Sequence, residues 1–180
     1  MTELETKFAR FDTGLSVEND GQIAGYASLF GRVDQGGDVV QAGAYGASLA
    51  ALKASGRQVK MLWQHDPGQL IGIWDEVRED AKGLWVKGRL LESVAKGREA
   101  AALIAAGALD GLSIGYRTKR ASKTGKSGRL LQEVELWEVS LVTFPMLPTA
   151  RLMAKEETPL KMLRDVAAVF EQAGQEMARR

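Results

Sequence analysis

Apolar and polar positions along this chain follow two periodicities. Seven stretches carry a short, strand-like rhythm: Lys7 to Asp12, Gln22 to Phe30, Val59 to Gln64, Leu70 to Val77, Leu84 to Leu91, Leu112 to Lys119 and Leu130 to Thr143. Glycines recur between Gly14 and Gly128 at the breaks, as a β-rich domain with tight turns requires. Asp80-Ala81-Lys82-Gly83 separates two runs at hairpin distance and predicts antiparallel pairing of 70–77 with 84–91. Two Ala-rich stretches, Gly43 to Ala54 and Val94 to Ala106, space their apolar residues for helices instead. Ser93 is typed to cap the second, and Gly107 to stop it in the left-handed conformation.

Residues 120–129 (RASKTGKSGR) are polar and basic with no acid, which predicts a solvated, mobile hairpin loop; a dock for an acidic substrate segment is the sharper alternative. Beyond Pro145 and Pro148 the pattern turns helical. Thr158 is placed as N-cap, Pro159 as first helical residue, and Leu163, Val166, Ala167, Phe170 and Met177 form an apolar stripe. The expected division is a β core over 1–153 and a helical tail over 154–180, the tail either packed on its own domain or serving as a partner-binding or removable segment.

Composition narrows the class. A chain of 180 residues supports one core, and 45% hydrophobic with 26% charged residues excludes a disordered chain. A net charge of +1 gives no basic field for coating nucleic acid. The absence of cysteine removes disulfides, thiolate metal sites and thiol nucleophiles together. No signal core or membrane-length apolar run is present, so the expectation is a soluble, intracellular protein. Only one histidine remains for chemistry.

Gly111-Leu112-Ser113-Ile114-Gly115 matches the G-x-S-x-G of α/β-hydrolases, but its context does not. Here a helix precedes the serine and a strand follows it, and the single histidine, His65, comes before Ser113 rather than after. Alternation turns Ser113, Gly115 and Arg117 away from the face that Leu112, Ile114 and Tyr116 bury, so the hydroxyl can face a cleft, and the glycines can admit a substrate backbone. His65 ends an apolar strand before a Pro67-Gly68 turn, a position suited to a general base; adjacent Asp66 points to the other face. The run Leu130 to Thr143 is interrupted by Glu133 and Glu135 on one face and Glu138 on the other, with Leu136, Ser140 and Val142. A carboxylate among apolar strand residues demands a partner, and for Glu138 that is either His65 or a cation such as Arg117 or Lys119.

The ordered set YASLFGRVDQGGDVVQAGAY, LWQHD, GLSIGY and LWEVSLVTFPMLPTA, covering about residues 20–150, resembles the prohead (capsid maturation) serine protease family of tailed bacteriophages and gene transfer agents. The resemblance implies a β-rich α+β fold like that of the herpesvirus maturational protease: a single antiparallel β-barrel ringed by helices, here with the C-terminal helical tail. It implies a serine endopeptidase that is packaged in the immature capsid within the bacterial host cytoplasm. There it cuts the scaffold, or the N-terminal scaffolding segment of the major capsid protein, and itself. Its partners are then these substrates and, in some settings, another copy of itself; no nucleic acid, membrane or cofactor is implied. Carried over by motif, Ser113 is the nucleophile, His65 the base and Glu138 the acid, with Glu135 as fallback. Asp34 and Asp38 match family positions and are read as loop-capping residues rather than a metal site. Two alternatives stand beside this: an inactive homologue acting in capsid scaffolding, and a Ser-Lys hydrolase using Lys60 or Lys119 with His65 idle.

Overall fold

The computed structural model describes residues 5–9, 21–124, 128–147 and 150. Eight strands form one curled, half-barrel sheet: β1 (Glu5–Ala9), β2 (Gln22–Leu29), β3 (Val39–Val40), β4 (Lys60–Trp63), β5 (Asp66–Glu79), β6 (Gly83–Leu90), β7 (Gly111–Thr124) and β8 (Gly128–Val142). Two helices, α1 (Gly46–Ala54) and α2 (Ala95–Ala105), complete the described elements. The strand order is β1-β7-β8-β4-β5-β6-β2, with β3 added to β8. The core buries Ile23, Val40, Tyr45, Met61, Ile71, Leu84, Leu112, Ile114, Tyr116, Leu131 and Val139.

The expected hairpin forms: β5 and β6 pair antiparallel across the 80–83 turn. Asp80 ties that turn, its carboxylate accepting the N–H groups of Lys82 (2.8 Å) and Gly83 (3.2 Å), the Tyr26 hydroxyl (2.7 Å) and the Arg78 guanidinium (2.7 Å). Burial works against its charge, but these four donors together hold its pKa down to about 2.

The expectation of a single antiparallel barrel ringed by helices is corrected in two respects. The sheet is mixed, because β3 and β4 both run parallel to β8, at Leu130–Leu131 and at Glu138–Leu141. One edge of β8 is thus served by a single stretch of chain, 39–63, that pairs, leaves to form α1, and pairs again. In the gap, Ala44 O accepts the Val134 N–H (3.0 Å) and Ser48 Oγ accepts the Leu136 N–H (2.9 Å), so the β8 edge stays hydrogen-bonded without a strand. The helices, moreover, are two packed elements among the described residues and no ring.

Smaller differences have local causes. The segment expected to be a mobile loop is mostly ladder: β7 runs to Thr124 and β8 resumes at Gly128, with the β7 side largely exposed and so without apolar alternation. β3 escapes the sequence reading because two residues hold no period. Helix α2 is capped by Val94 rather than Ser93, since Val94 N–H closes a turn on Leu91 O (3.0 Å) and delays the helix by one residue. Gly107 does take the left-handed conformation, φ 69°. The strand expected over 7–12 is seen at Glu5–Ala9, antiparallel to β7 with Phe8 opposite Ser113. The C-terminal helix and the boundary at 153/154 lie outside the described residues.

Candidate active site

The site is assembled on the β7–β8–β4 seam. Ser113 and Ser140 are cross-strand partners between β7 and β8, and Gly115 is the partner of Glu138 two pairs further along. β4, in parallel register with Glu138–Leu141, delivers its C-terminal end to the same place. There the chain turns back into β5 through Gln64 and His65, both in the left-handed region at φ 51° and 63°. Such a conformation costs a non-glycine residue on the order of 1 kcal/mol or more and persists only when the surroundings fix it. Here they do: Gln64 N–H donates to Leu141 O (3.0 Å), its side-chain amide donates to Thr143 Oγ1 (2.7 Å), and His65 N–H donates to Ser140 Oγ (3.1 Å).

The turn sets the imidazole between two groups. His65 Nε2 lies 2.6 Å from Ser113 Oγ, and Nδ1 lies 2.5 Å from Glu138 Oε1. A carboxylate only accepts, so Nδ1 carries the ring proton and Nε2 is left to accept from the serine hydroxyl. Ser113 and Glu138 are buried, and His65, with 14% of its side chain exposed, is the member that meets solvent. The three residues selected from sequence are therefore brought together.

Both glycines of the G-x-S-x-G stretch have a structural reason. A Cβ on Gly115 would stand 2.1 Å from Glu138 Oε1, so the space is taken by the carboxylate and not by a substrate backbone. A Cβ on Gly111 would meet Val142 O at 2.4 Å. A register shift between Gly115 and Tyr116, with Trp137 as the extra residue of β8, also corrects the expected faces. Glu138 (opposite Gly115) and Glu135 (opposite Arg117) fall on one side, and Leu136 turns into the core.

The competitors for these roles are engaged elsewhere. Lys119 Nζ pairs with Glu135 at 2.7 Å, and that bond is the main reason the Glu135 carboxyl titrates below its ordinary range. Arg117 stacks over Trp137, 4.3 Å from the ring centroid. Lys60 and Lys119 both line a cavity of about 450 Å³ beside α1, which none of Ser113, His65 and Glu138 lines. Asp66 caps its own turn, accepting from Gly68 N–H (2.8 Å) and the Gln69 amide (2.7 Å). Asp34 Oδ1 accepts the Asp38 N–H (2.8 Å) and closes the 34–38 loop on itself, and Asp38 holds the Arg129 guanidinium at 2.6 Å and ties that loop to β8. Among the described residues no cluster of three or more His, Asp or Glu is arranged to hold a metal ion. One contributor was missed: Ser140, fully buried, whose Oγ donates to Glu138 Oε2 at 2.6 Å while accepting from His65 N–H.

Comparison with known proteins agrees with this architecture. The chain is similar to the bacteriophage T4 capsid assembly protease, with a TM-score of 0.59 and 16% identity over 79% of this chain and 96% of that one, which is a likeness of fold. It is 31% identical to the prohead protease of Enterobacteria phage HK97 over 173 residues, 92% of this chain and 76% of the relative. The model of the Caudovirus prohead serine protease family matches residues 10–164, a span that contains the whole β7–β8–β4 seam. On a match of that extent, the chain belongs to the Caudovirus prohead serine protease family.

Proposed function

We propose that this chain is a serine endopeptidase of Ser-His-Glu type acting in capsid maturation, with Ser113 as nucleophile, His65 as general base and Glu138 as the group that orients the imidazole. The observation that carries the reading is the imidazole bonded at both nitrogens, to Ser113 Oγ at 2.6 Å and to Glu138 Oε1 at 2.5 Å. As Ser113 Oγ attacks the scissile carbonyl carbon, its proton passes to His65 Nε2, and the resulting imidazolium is stabilised by the Glu138 carboxylate. The same proton then leaves with the departing amine. Water, deprotonated by the neutral imidazole, hydrolyses the acyl-enzyme and restores Ser113.

The substrates in this reading are the scaffold, or the scaffolding segment of the major capsid protein, inside the procapsid, and the enzyme itself. The names of the similar phage proteins support that assignment. Ser113→Ala and His65→Ala are each expected to abolish cleavage of the capsid precursor, and the double variant to be no worse, because the two residues act as one unit. Full cleavage by either single variant, with mass spectrometry as the readout, overturns the proposal.

A further inference from the structure

We infer that Ser140 is a positioning residue that holds the imidazole and the carboxylate in one geometry; this rests on the triad reading above. Its hydroxyl has one proton to give, and gives it to Glu138 Oε2 at 2.6 Å. The same oxygen accepts from the His65 backbone N–H at 3.1 Å. Glu138 Oε1 faces His65 Nδ1, so each carboxylate oxygen has its own partner. Gly115 supplies the room in which the carboxylate lies. The Ser140 side chain thus bonds both the carboxylate and the backbone of the residue bearing the imidazole.

The backbone contact matters because His65 sits at φ 63°, a conformation its own side chain does not favour. Without an acceptor at Ser140 Oγ, the part-buried N–H loses this bond and the turn is held less firmly. Without the donor, Glu138 Oε2 becomes a buried, unpaired anionic oxygen, and the carboxylate can rotate away from Nδ1. Both changes act on the same ring and neither touches Ser113. Ser140 is also fully buried and is the direct cross-strand partner of Ser113, so its distance from the nucleophile is set by the β7–β8 ladder itself.

The single histidine makes this measurable, since every imidazole signal in an NMR spectrum belongs to His65. The full-length chain, its Ser140→Ala and Ser140→Cys variants, and Ser113→Ala are compared, with folding checked by circular dichroism. A fluorophosphonate is the probe for Ser113 reactivity, and the Nδ1–H resonance is the probe for the ring. Ser140→Ala and Ser140→Cys are expected to lower the maximal rate of phosphonylation by about 10- to 100-fold. The half-saturating probe concentration is expected to stay within about twofold, and the Nδ1–H resonance to exchange away. Cysteine keeps the shape of serine and supplies only a weak donor, so it reads the hydroxyl even where alanine perturbs packing. A folded Ser140 variant that keeps both the rate and the resonance overturns the inference. Failure of the triad reading would be seen separately, as phosphonylation persisting in Ser113→Ala.

Discussion

Gly115 carries more of the site than its lack of a side chain suggests. Because Glu138 Oε1 occupies the place of its Cβ, Gly115→Ala is expected to push the carboxylate off Nδ1 and lower fluorophosphonate reactivity by about two orders of magnitude, close to the loss in Glu138→Gln. Glu135→Gln, which breaks only the pair with Lys119, should leave reactivity within about twofold. Equal losses at 135 and 138 would contradict the assignment of the carboxylate. In the sequence Glu138 was legible as a carboxylate where the strand pattern asks for an apolar residue, Ser113 by its G-x-S-x-G stretch, and His65 as the single histidine, at a strand end before a turn. Ser140 breaks the same pattern two residues after Glu138, but a lone serine carries no charge that would demand a partner. Gly115 was legible as space, while what fills that space depends on the cross-strand register, which a sequence does not state.

Among the elements, strands such as β2 and β4 were readable, but pairings were readable only where a short turn closes them. The β5–β6 hairpin follows from Asp80 to Gly83, and its stability is expected to depend on Asp80. Asp80→Ala should destabilise the fold by roughly 2 kcal/mol near neutral pH, measured by urea unfolding. The pH dependence has a definite sign. The folded carboxyl titrates at about 2 against 3.8 without its partners, so its contribution is complete above about pH 4 and is lost as pH falls through about 2. Wild type should therefore lose stability over that interval more steeply than the alanine variant; parallel curves would show that Asp80 is not the anchor. The parallel pairings of β3 and β4 with β8 leave no comparable mark, since no tight turn joins the strands they connect. The ladder over 120–124 and 128–129 was misread for a related reason: its β7 side is almost wholly exposed and has no apolar period to reveal it.

At the scale of the molecule, β8 is the strand on which everything converges, pairing with β7 on one edge and with β3 and β4 on the other. His65 stands 48 residues from Ser113 and 73 from Glu138, so the trio draws on three separate parts of the chain. Contacts of such separation close late in folding, because loop entropy must be overcome before they contribute. In refolding from denaturant, fluorophosphonate reactivity is expected to appear with the slowest structural phase, sampled by interrupted labelling, and well after the local β5–β6 hairpin; reactivity in the earliest phase would contradict this. For biosynthesis the parallel β4–β8 seam has a plain effect. A nascent chain that has emerged only through β7 already contains its histidine and its serine, but it lacks Glu138, Ser140 and the strand against which the His65 turn is set. If Ser113, His65 and Glu138 act as proposed, such a chain has no means of cutting its neighbours on the ribosome, and the hazard of making a protease inside a living cell is deferred until β8, ending at Val142, has emerged.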